Sequence, residues 1–330
     1  MSSRLKRRSF LSGGLAIAGC GSSLRHFPFD TSRTISHHLG LEIIFYSVCC
    51  VQIRSAAGSI LCDPFFTHLP FRQVAFGECL PEHAEIDRFL PEFSDIRATI
   101  VGHNHYDHNM ALPYIDPYLA TDAVHLGSKT MVHTFAPNAL SHPLINLNDQ
   151  VATPHSEGKW WVHPSGDFRV LPILSGHPTQ YLFIHLFTEV LTEDRKTPPR
   201  KASHYQEGIT LAFLVDFLDG SQVSKRLYIQ SSSTGYPAGF FPESILEEKT
   251  VDVAILAMDS ANIHMKTGKS ILSHVAPPIV FWTHFENFFR AKDKIPREII
   301  KVNLPKTKSY FADFSNQLSV FSAYHQRYRL

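Results

Sequence analysis

An α/β (α+β) protein, with sheets covered by helices, is expected from three features of this 330-residue chain. Strand-like apolar runs come first, and strands alternating with helical stretches follow. That order belongs to layered sheets with helices outside them. Hydrophobic residues make up 44% and charged residues 18%, which excludes disordered, collagen-like and coiled-coil chains. The length suits one large domain or two ordinary ones.

The first element is an address. Residues 1–19 read as an export signal, because Arg7-Arg8-Ser9-Phe10-Leu11 resembles a bacterial twin-arginine signal. The apolar stretch Phe10 to Ala18 is too short to span a bilayer as a mature helix. It ends in Ile17-Ala18-Gly19-Cys20, which resembles a lipobox, so Cys20 is the expected lipidated first residue of the mature chain. Residues 20–38 are polar and mixed, and read as a lipid-anchored tether. These features imply export to the cell envelope and a membrane contact through the anchor.

From residue 39 to 330 a single domain is expected. Leu41 to Tyr46, Val48 to Ile53 and Ser59 to Pro64 are strands around a turn at Gly58. Arg97 to Val101 and Ala123 to Gly127 are short buried strands, and Ser128 to Phe135 is a helix. Trp160 to His163 and Phe168 to Leu174 form a hairpin around Pro164-Ser165-Gly166. Ile209 to Phe217, Leu227 to Gln230, Val251 to Met258 and Ile279 to Trp282 complete the strands. Helices are expected near 83–90, 241–248, 266–274 and 285–294. Residues 178–208 shift in composition, with an apolar run Tyr181 to Phe187 and a charged, Pro-rich run Thr192 to Lys201, and read as an insertion.

Lys and Arg total 31 against 30 Asp and Glu. Four of the basic residues (Arg4, Lys6, Arg7, Arg8) and no acid lie in residues 1–19, so without them 27 face 30, a charge of about −3. A chain with no basic excess has no general grip on nucleic acid. Cys49, Cys50, Cys62 and Cys79 form no CxxC pair and read as small apolar core residues. A disulfide among them is left open.

Histidine is the outlier, at 20 residues. His103-Asn104-His105-Tyr106-Asp107-His108 follows a strand directly. On a strand-to-loop turn His103 and His105 share a side, and Asp107 and His108 curl back from the loop. Neutral imidazoles and a carboxylate suit Zn²⁺ and comparable ions.

Around this motif the chain resembles the metallo-β-lactamase superfamily, and more narrowly its N-acylphosphatidylethanolamine phospholipase D-like branch, from about Gly40 to Phe289. The resemblance implies a four-layer αββα sandwich with zinc, one or two ions, at one edge. It implies Asp63, in Leu61-Cys62-Asp63-Pro64-Phe65, as the residue orienting the metal loop. It implies His177 as the third imidazole with His103 and His105, and His284 as the last ligand with Asp107 and His108. One motif departs. The branch places a bridging Asp where this chain reads Ser231-Ser232-Ser233-Thr234-Gly235-Tyr236, so Ser233 takes that position and the second metal is in doubt. Asp259, after another buried strand, is a candidate replacement.

The implied activity is hydrolysis by a metal-bound hydroxide, with Asp107 orienting the water or taking its proton. A phosphodiester or other small or lipid-like ester is the favoured substrate, because membrane anchoring and the apolar stretches Phe65 to Phe76 and Tyr181 to Phe187 suit an amphipathic ester. Simple packing explains those stretches equally well. The alternatives are a lactonase or amidohydrolase on the same fold, or a non-catalytic metal- or ligand-binding lipoprotein whose second site has decayed.

Overall fold

The computed structural model describes residues 39–180, 185–232, 234–258, 270–294, 297–299, 302, 318–321 and 324–330. The signal-like residues 1–19, the tether with Cys20, Ser233 and Asp259 lie outside the described residues.

Three strands meander antiparallel at the start: β1 (Glu42–Ser47), β2 (Cys50–Ser55) and β3 (Gly58–Cys62). β4 (Ile96–Ile100), β5 (Val124–Gly127) and β6 (Leu144–Asn146) then add in parallel beside β3. A second sheet begins with the antiparallel run β7 (Trp161–Val162), β8 (Phe168–Leu174), β9 (Leu211–Asp219) and β10 (Gln222–Gln230). β11 (Val253–Ala257), β12 (Ile279–Thr283) and β13 (Leu318–Phe321) extend it in parallel. β14 (Arg327–Arg329) returns to pair with β1. Among the described residues each sheet has seven strands, in the orders β14-β1-β2-β3-β4-β5-β6 and β13-β12-β11-β10-β9-β8-β7.

The strand period of two sorts the side chains into layers. In β9, Leu211, Phe213, Val215 and Phe217 enter the core between the sheets, while Ala212 and Leu214 face the other way. In β1, Ile43 and Phe45 face inward and Ile44 and Tyr46 outward. The outward residues are covered by helices. α1 (Phe71–Phe76) is followed by α2 (His83–Asp87), α3 (Tyr106–Asn109), α4 (Leu112–Ile115), α5 (Lys129–Phe135), α6 (Ser244–Glu248) and α7 (Ile271–Val275). Ile86 of α2 and Ile115 of α4 pack on the outer face of the first sheet. Ile245 of α6 and Ile271, Leu272 and Val275 of α7 pack on the second. This is the expected αββα sandwich, and each fully buried aliphatic or aromatic side chain contributes about 1.5–3 kcal/mol to it.

The helix expected at 285–294 is absent; turns stand there. Its own backbone bonds are isolated turns, Arg290 N–H to Asn287 O and Lys294 N–H to Ala291 O, both at 3.1 Å, and its start pairs with the returning chain: Asn287 N–H donates to Arg297 O at 2.7 Å and Ile299 N–H to Phe285 O at 2.9 Å. The apolar residues there are needed inward at irregular spacing, with Phe285 and Phe288 in different buried clusters. Cys49, Cys50, Cys62 and Cys79 are all buried and form no disulfide among the described residues, consistent with their reading as core residues.

β3 and β4 run parallel, and β8, β10, β11 and β12 share one direction. The first residue of β9, Leu211, donates its N–H to Gly102 O, just past β4, at 2.6 Å. The loops that follow β3, β4, β8, β10 and β12 therefore gather at one edge of the sandwich.

Candidate metal centre

Three imidazoles from two of those loops form a nearly equilateral triangle. The ring centroids of His103 and His105 are 4.7 Å apart, those of His103 and His177 4.6 Å, and those of His105 and His177 4.8 Å. One nitrogen from each ring lies within 4.8 Å of the other two. His177 Nδ1–H donates to Pro178 O at 2.7 Å, which leaves Nε2 as the free donor. Burial, then the neighbouring His108, His177 and His105 rings, holds the pKa of His103 well below that of ordinary histidine. Burial also lowers His177 well below it and His105 to about 4, the latter against an opposing pull from Asp107. All three are thus neutral near pH 7, the state in which imidazole binds a cation.

The second group joins two segments, the one after β4 and the one after β12. Asp107, His108 and His284 offer ligand atoms within 4.8 Å of one another. Asp107 Oδ2 lies 3.8 Å from His108 Nε2 and 3.9 Å from His284 Nε2. The two groups adjoin, since the His103 and His108 ring centroids are 3.9 Å apart.

Asp63 orients the loop between them. It ends β3 with a left-handed backbone, φ 42°, a conformation Asp tolerates better than most residues. Its Oδ1 accepts from Gly102 N–H at 2.7 Å, and Oδ2 accepts from His108 Nδ1–H at 3.0 Å. That bond selects the tautomer of His108 whose Nε2 faces Asp107.

The sequence reading gave Asn104 no role, yet Asn104 ties the motif down. It is fully buried; its Nδ2 donates to Thr134 Oγ1 at 2.8 Å and to Gln206 O at 2.9 Å, and its Oδ1 accepts from Asn109 at 2.7 Å. Its signal was available: a buried amide between two histidines must find several partners. Glu286 and Val48, which bond to each other and, through Val48, to the backbone of His284, were also missed and had no signal in the sequence.

Ser231 and Ser232 are buried next to the site, and a Cβ on Gly102 would stand 2.0 Å from Ser231 Oγ. A larger residue where the histidine loop begins would therefore have to displace the Ser231 hydroxyl. No Asp or Glu occurs from 230 to 242.

The donor set fits a metal ion. Among the described residues, both nitrogens of His103, Nε2 of His105 and Nδ1 of His284 are buried without a hydrogen-bond partner. A buried polar group left unbonded costs about 1–3 kcal/mol, and coordination removes that penalty for each nitrogen that binds.

No family model matches the sequence, and neither does any curated protein. Among solved structures the chain is similar to Igni18, a metallo hydrolase of the archaeon Ignicoccus hospitalis, with TM-score 0.54 and 12% identity over 88% of this chain and 99% of that one. It is similar to an isothiocyanate hydrolase from Delia radicum gut bacteria, with TM-score 0.52 and 9% identity over 88% and 99%. A mutant of the β-hydroxylase CmlA matches with TM-score 0.50 and 12% identity over 88% of this chain and 54% of that one; CmlA, from Streptomyces venezuelae, is a diiron enzyme. The chain shares its two-sheet α/β fold with these structures. In this fold the two histidine groups stand at the edge where the parallel strands end.

An aromatic path leads outward from that edge. His284 and Phe288 have ring centroids 5.5 Å apart, Phe288 and Phe289 4.6 Å, and Phe289 and Phe71 5.4 Å. Phe71 is 62% exposed, and Phe76 on the same short helix is 84% exposed.

Proposed function

We propose that this protein is a metal-dependent hydrolase acting on a phosphodiester or other ester that carries an apolar portion. The observation that carries the reading is His103, a fully buried imidazole with neither nitrogen bonded, at the centre of a neutral three-histidine triangle. Zinc is the proposed ion, since three imidazoles with an open position suit it. The diiron CmlA shares the fold, so metal analysis has to identify the ion.

His103, His105 and His177 would hold the first ion, and Asp107, His108 and His284 a second. The ion supplies Lewis acidity, lowering the pKa of water and polarising a carbonyl or phosphoryl oxygen. Asp107, whose Oδ2 lies 3.8 Å from His108 Nε2 and 3.9 Å from His284 Nε2, would take up the proton released by the attacking water. Asp63 keeps His108 in one tautomer throughout. Phe71 and the partly buried Phe289, backed by the buried Phe288, offer the apolar part of the ester a surface, in keeping with the amphipathic substrate suggested by the sequence.

The proposal includes export through the twin-arginine-like signal and lipid attachment at Cys20, which would keep the enzyme at a membrane of the cell envelope. Mass spectrometry of the mature chain tests this, and an unmodified Cys20 would refute it.

The serine run at 231–233 favours a second reading, a metal-binding lipoprotein without turnover. Metal analysis of the purified protein, alongside assays on phosphodiesters, lactones and β-lactams, separates the two. Metal-dependent turnover supports the hydrolase, bound metal without turnover supports the binding protein, and absence of bound metal overturns both.

A further inference from the structure

His284 is held by an unusual piece of backbone. It has a left-handed conformation, φ 54°, and so does Val48 in the turn between β1 and β2, at φ 51°. For a β-branched residue such as Val48 this is a sterically costly state that persists only when its surroundings enforce it. Two bonds enforce it. His284 N–H donates to Val48 O at 2.9 Å. Val48 N–H donates to Glu286 Oε1 at 2.5 Å. The chain leaves His284, reaches Glu286 two residues later, and turns its carboxylate back onto the residue that holds His284. The result is a closed ring of three residues from two distant segments.

Glu286 is 1% exposed, and its second oxygen, Oε2, is buried without a hydrogen-bond partner. Burying a carboxylate to accept one backbone N–H is an expensive way to stabilise a turn. The expense is accounted for if the turn must be held in one geometry. The conformation at Val48 sets the direction of its carbonyl, that carbonyl sets the backbone of His284, and the backbone sets where the imidazole lies relative to Asp107 and His108.

We propose that Glu286 is a positioning residue for His284, acting through Val48. It contacts neither substrate nor ion. The inference rests on the reading that Asp107, His108 and His284 bind a metal. Removing the carboxylate frees Val48 to leave its left-handed state, His284 loses its backbone anchor, and the second group loosens. The His103, His105 and His177 triangle has no bond to this ring and keeps its geometry.

The test is a cobalt(II) titration of the metal-free full-length protein, read by visible absorption, with the folded fraction checked by circular dichroism. Glu286→Ala should bind the first equivalent as the wild type does and the second about 10–100-fold more weakly, the usual cost of losing a residue that supports a ligand. Glu286→Gln retains an acceptor for Val48 N–H and should stay within a few-fold of the wild type. His284→Ala is the reference for loss of the second group. If His284→Ala loses the second equivalent and Glu286→Ala does not, the positioning role is overturned while the metal reading stands. Equal weakening of both equivalents by Glu286→Ala, unrescued by Glu286→Gln, would reduce Glu286 to a general structural role and overturn the proposal. If His284→Ala binds the second equivalent as the wild type does, the second-group reading fails and this inference fails with it.

Discussion

Two clusters of histidine and carboxylate are buried in this fold, and they are built in opposite ways. Asp116, His125 and His142 also bring ligand atoms within 4.8 Å of one another. There, however, the hydrogen bonds close. His125 Nε2–H donates to Asp116 Oδ1 at 2.9 Å, and His125 Nδ1 is paired with Thr99 Oγ1 at 2.9 Å. His142 Nδ1–H donates to the same Asp116 oxygen at 2.9 Å, and the backbone N–H of Ser141 donates to Oδ2 at 2.6 Å. At the sheet edge His103 has no such partner on either nitrogen. Proximity of ligand types thus does not distinguish a metal centre from a structural knot; the presence or absence of internal partners does. The closed cluster fastens β5 to the short 3-10 turn at Asp116–Tyr118 and to the loop before β6.

The comparison breaks most visibly under paired substitutions. His103→Ala with His105→Ala should remove the first metal altogether, measured by elemental analysis of purified protein. It should also abolish the stabilisation that metal gives, about 2.7 kcal/mol when free metal is a hundredfold above Kd. Asp116→Ala should leave the metal content unchanged. Metal retained in the double variant, or lost in Asp116→Ala, would reverse the assignment of the two clusters.

Asp116→Ala should instead reduce folding stability. It strips the acceptor from two histidine rings and from the backbone N–H groups of Ser141 and His142, and leaving such buried donors unpaired costs about 1–3 kcal/mol. Urea unfolding of the variant beside the wild type measures this. A midpoint shift too small to resolve would mean the closed cluster carries no structural load.

Much of this was readable in the sequence, for local reasons. The strands from β1 to β5 and β7 to β12 announce themselves by apolar runs bounded by Gly, Pro or Asp. The HNHYDH stretch is compact, and Asp63, His177 and His284 each follow a strand end. The described structure brings those positions together, while their chemical roles remain proposals. The closed cluster went unseen because Asp116, His125 and His142 are spread over 27 residues and look like ordinary surface polar positions. β14 went unseen because Arg327-Tyr328-Arg329 has no strand pattern of its own; β1 gives it a partner, and Glu42 pairs with Arg327 and Arg329. The false helix at 285–294 failed because tertiary pairing overrode local apolar spacing. Glu286 was invisible because its partner Val48 lies 238 residues away.

Acid sharpens the comparison. Burial lowers the pKa of His125, although Asp116 pulls it the other way. Burial opposes ionisation of Asp116, but the bonds from His125, Ser141 and His142 outweigh it and hold Asp116 well below the usual carboxylate range. Both folded values lie below the unfolded ones, so both contributions are fully present above the unfolded pKa and are lost as pH falls. For His125 the loss begins near pH 6.5 and reaches at most about 1.4 kcal/mol per pH unit. Asp116 adds to it below about pH 4. Chemical unfolding of metal-free protein from pH 8 to 4 should show a slope to which His103, His105 and His177, also lowered by burial, add their share, and His125→Asn should reduce it. An unchanged slope in that variant would assign the acid sensitivity to other histidines.

The smallest effect concerns the serine run. Two dications a few ångströms apart repel, and a bridging carboxylate offsets much of that repulsion. This chain has no acid from 230 to 242, so a neutral Ser233 stands in the bridging position inferred from the sequence. The second ion, held by Asp107, His108 and His284 alone, should therefore depend on added metal. Ser233→Asp should tighten it and move stoichiometry from one toward two, while the unfolding midpoint of the metal-free protein shifts by no more than the ±0.5 kcal/mol usual for substitutions outside the core. Titration of wild type and variant side by side reads this directly. A wild type that already retains two tightly bound ions would show that another group supplies the bridging charge, and Asp259 is the first position to replace in finding it.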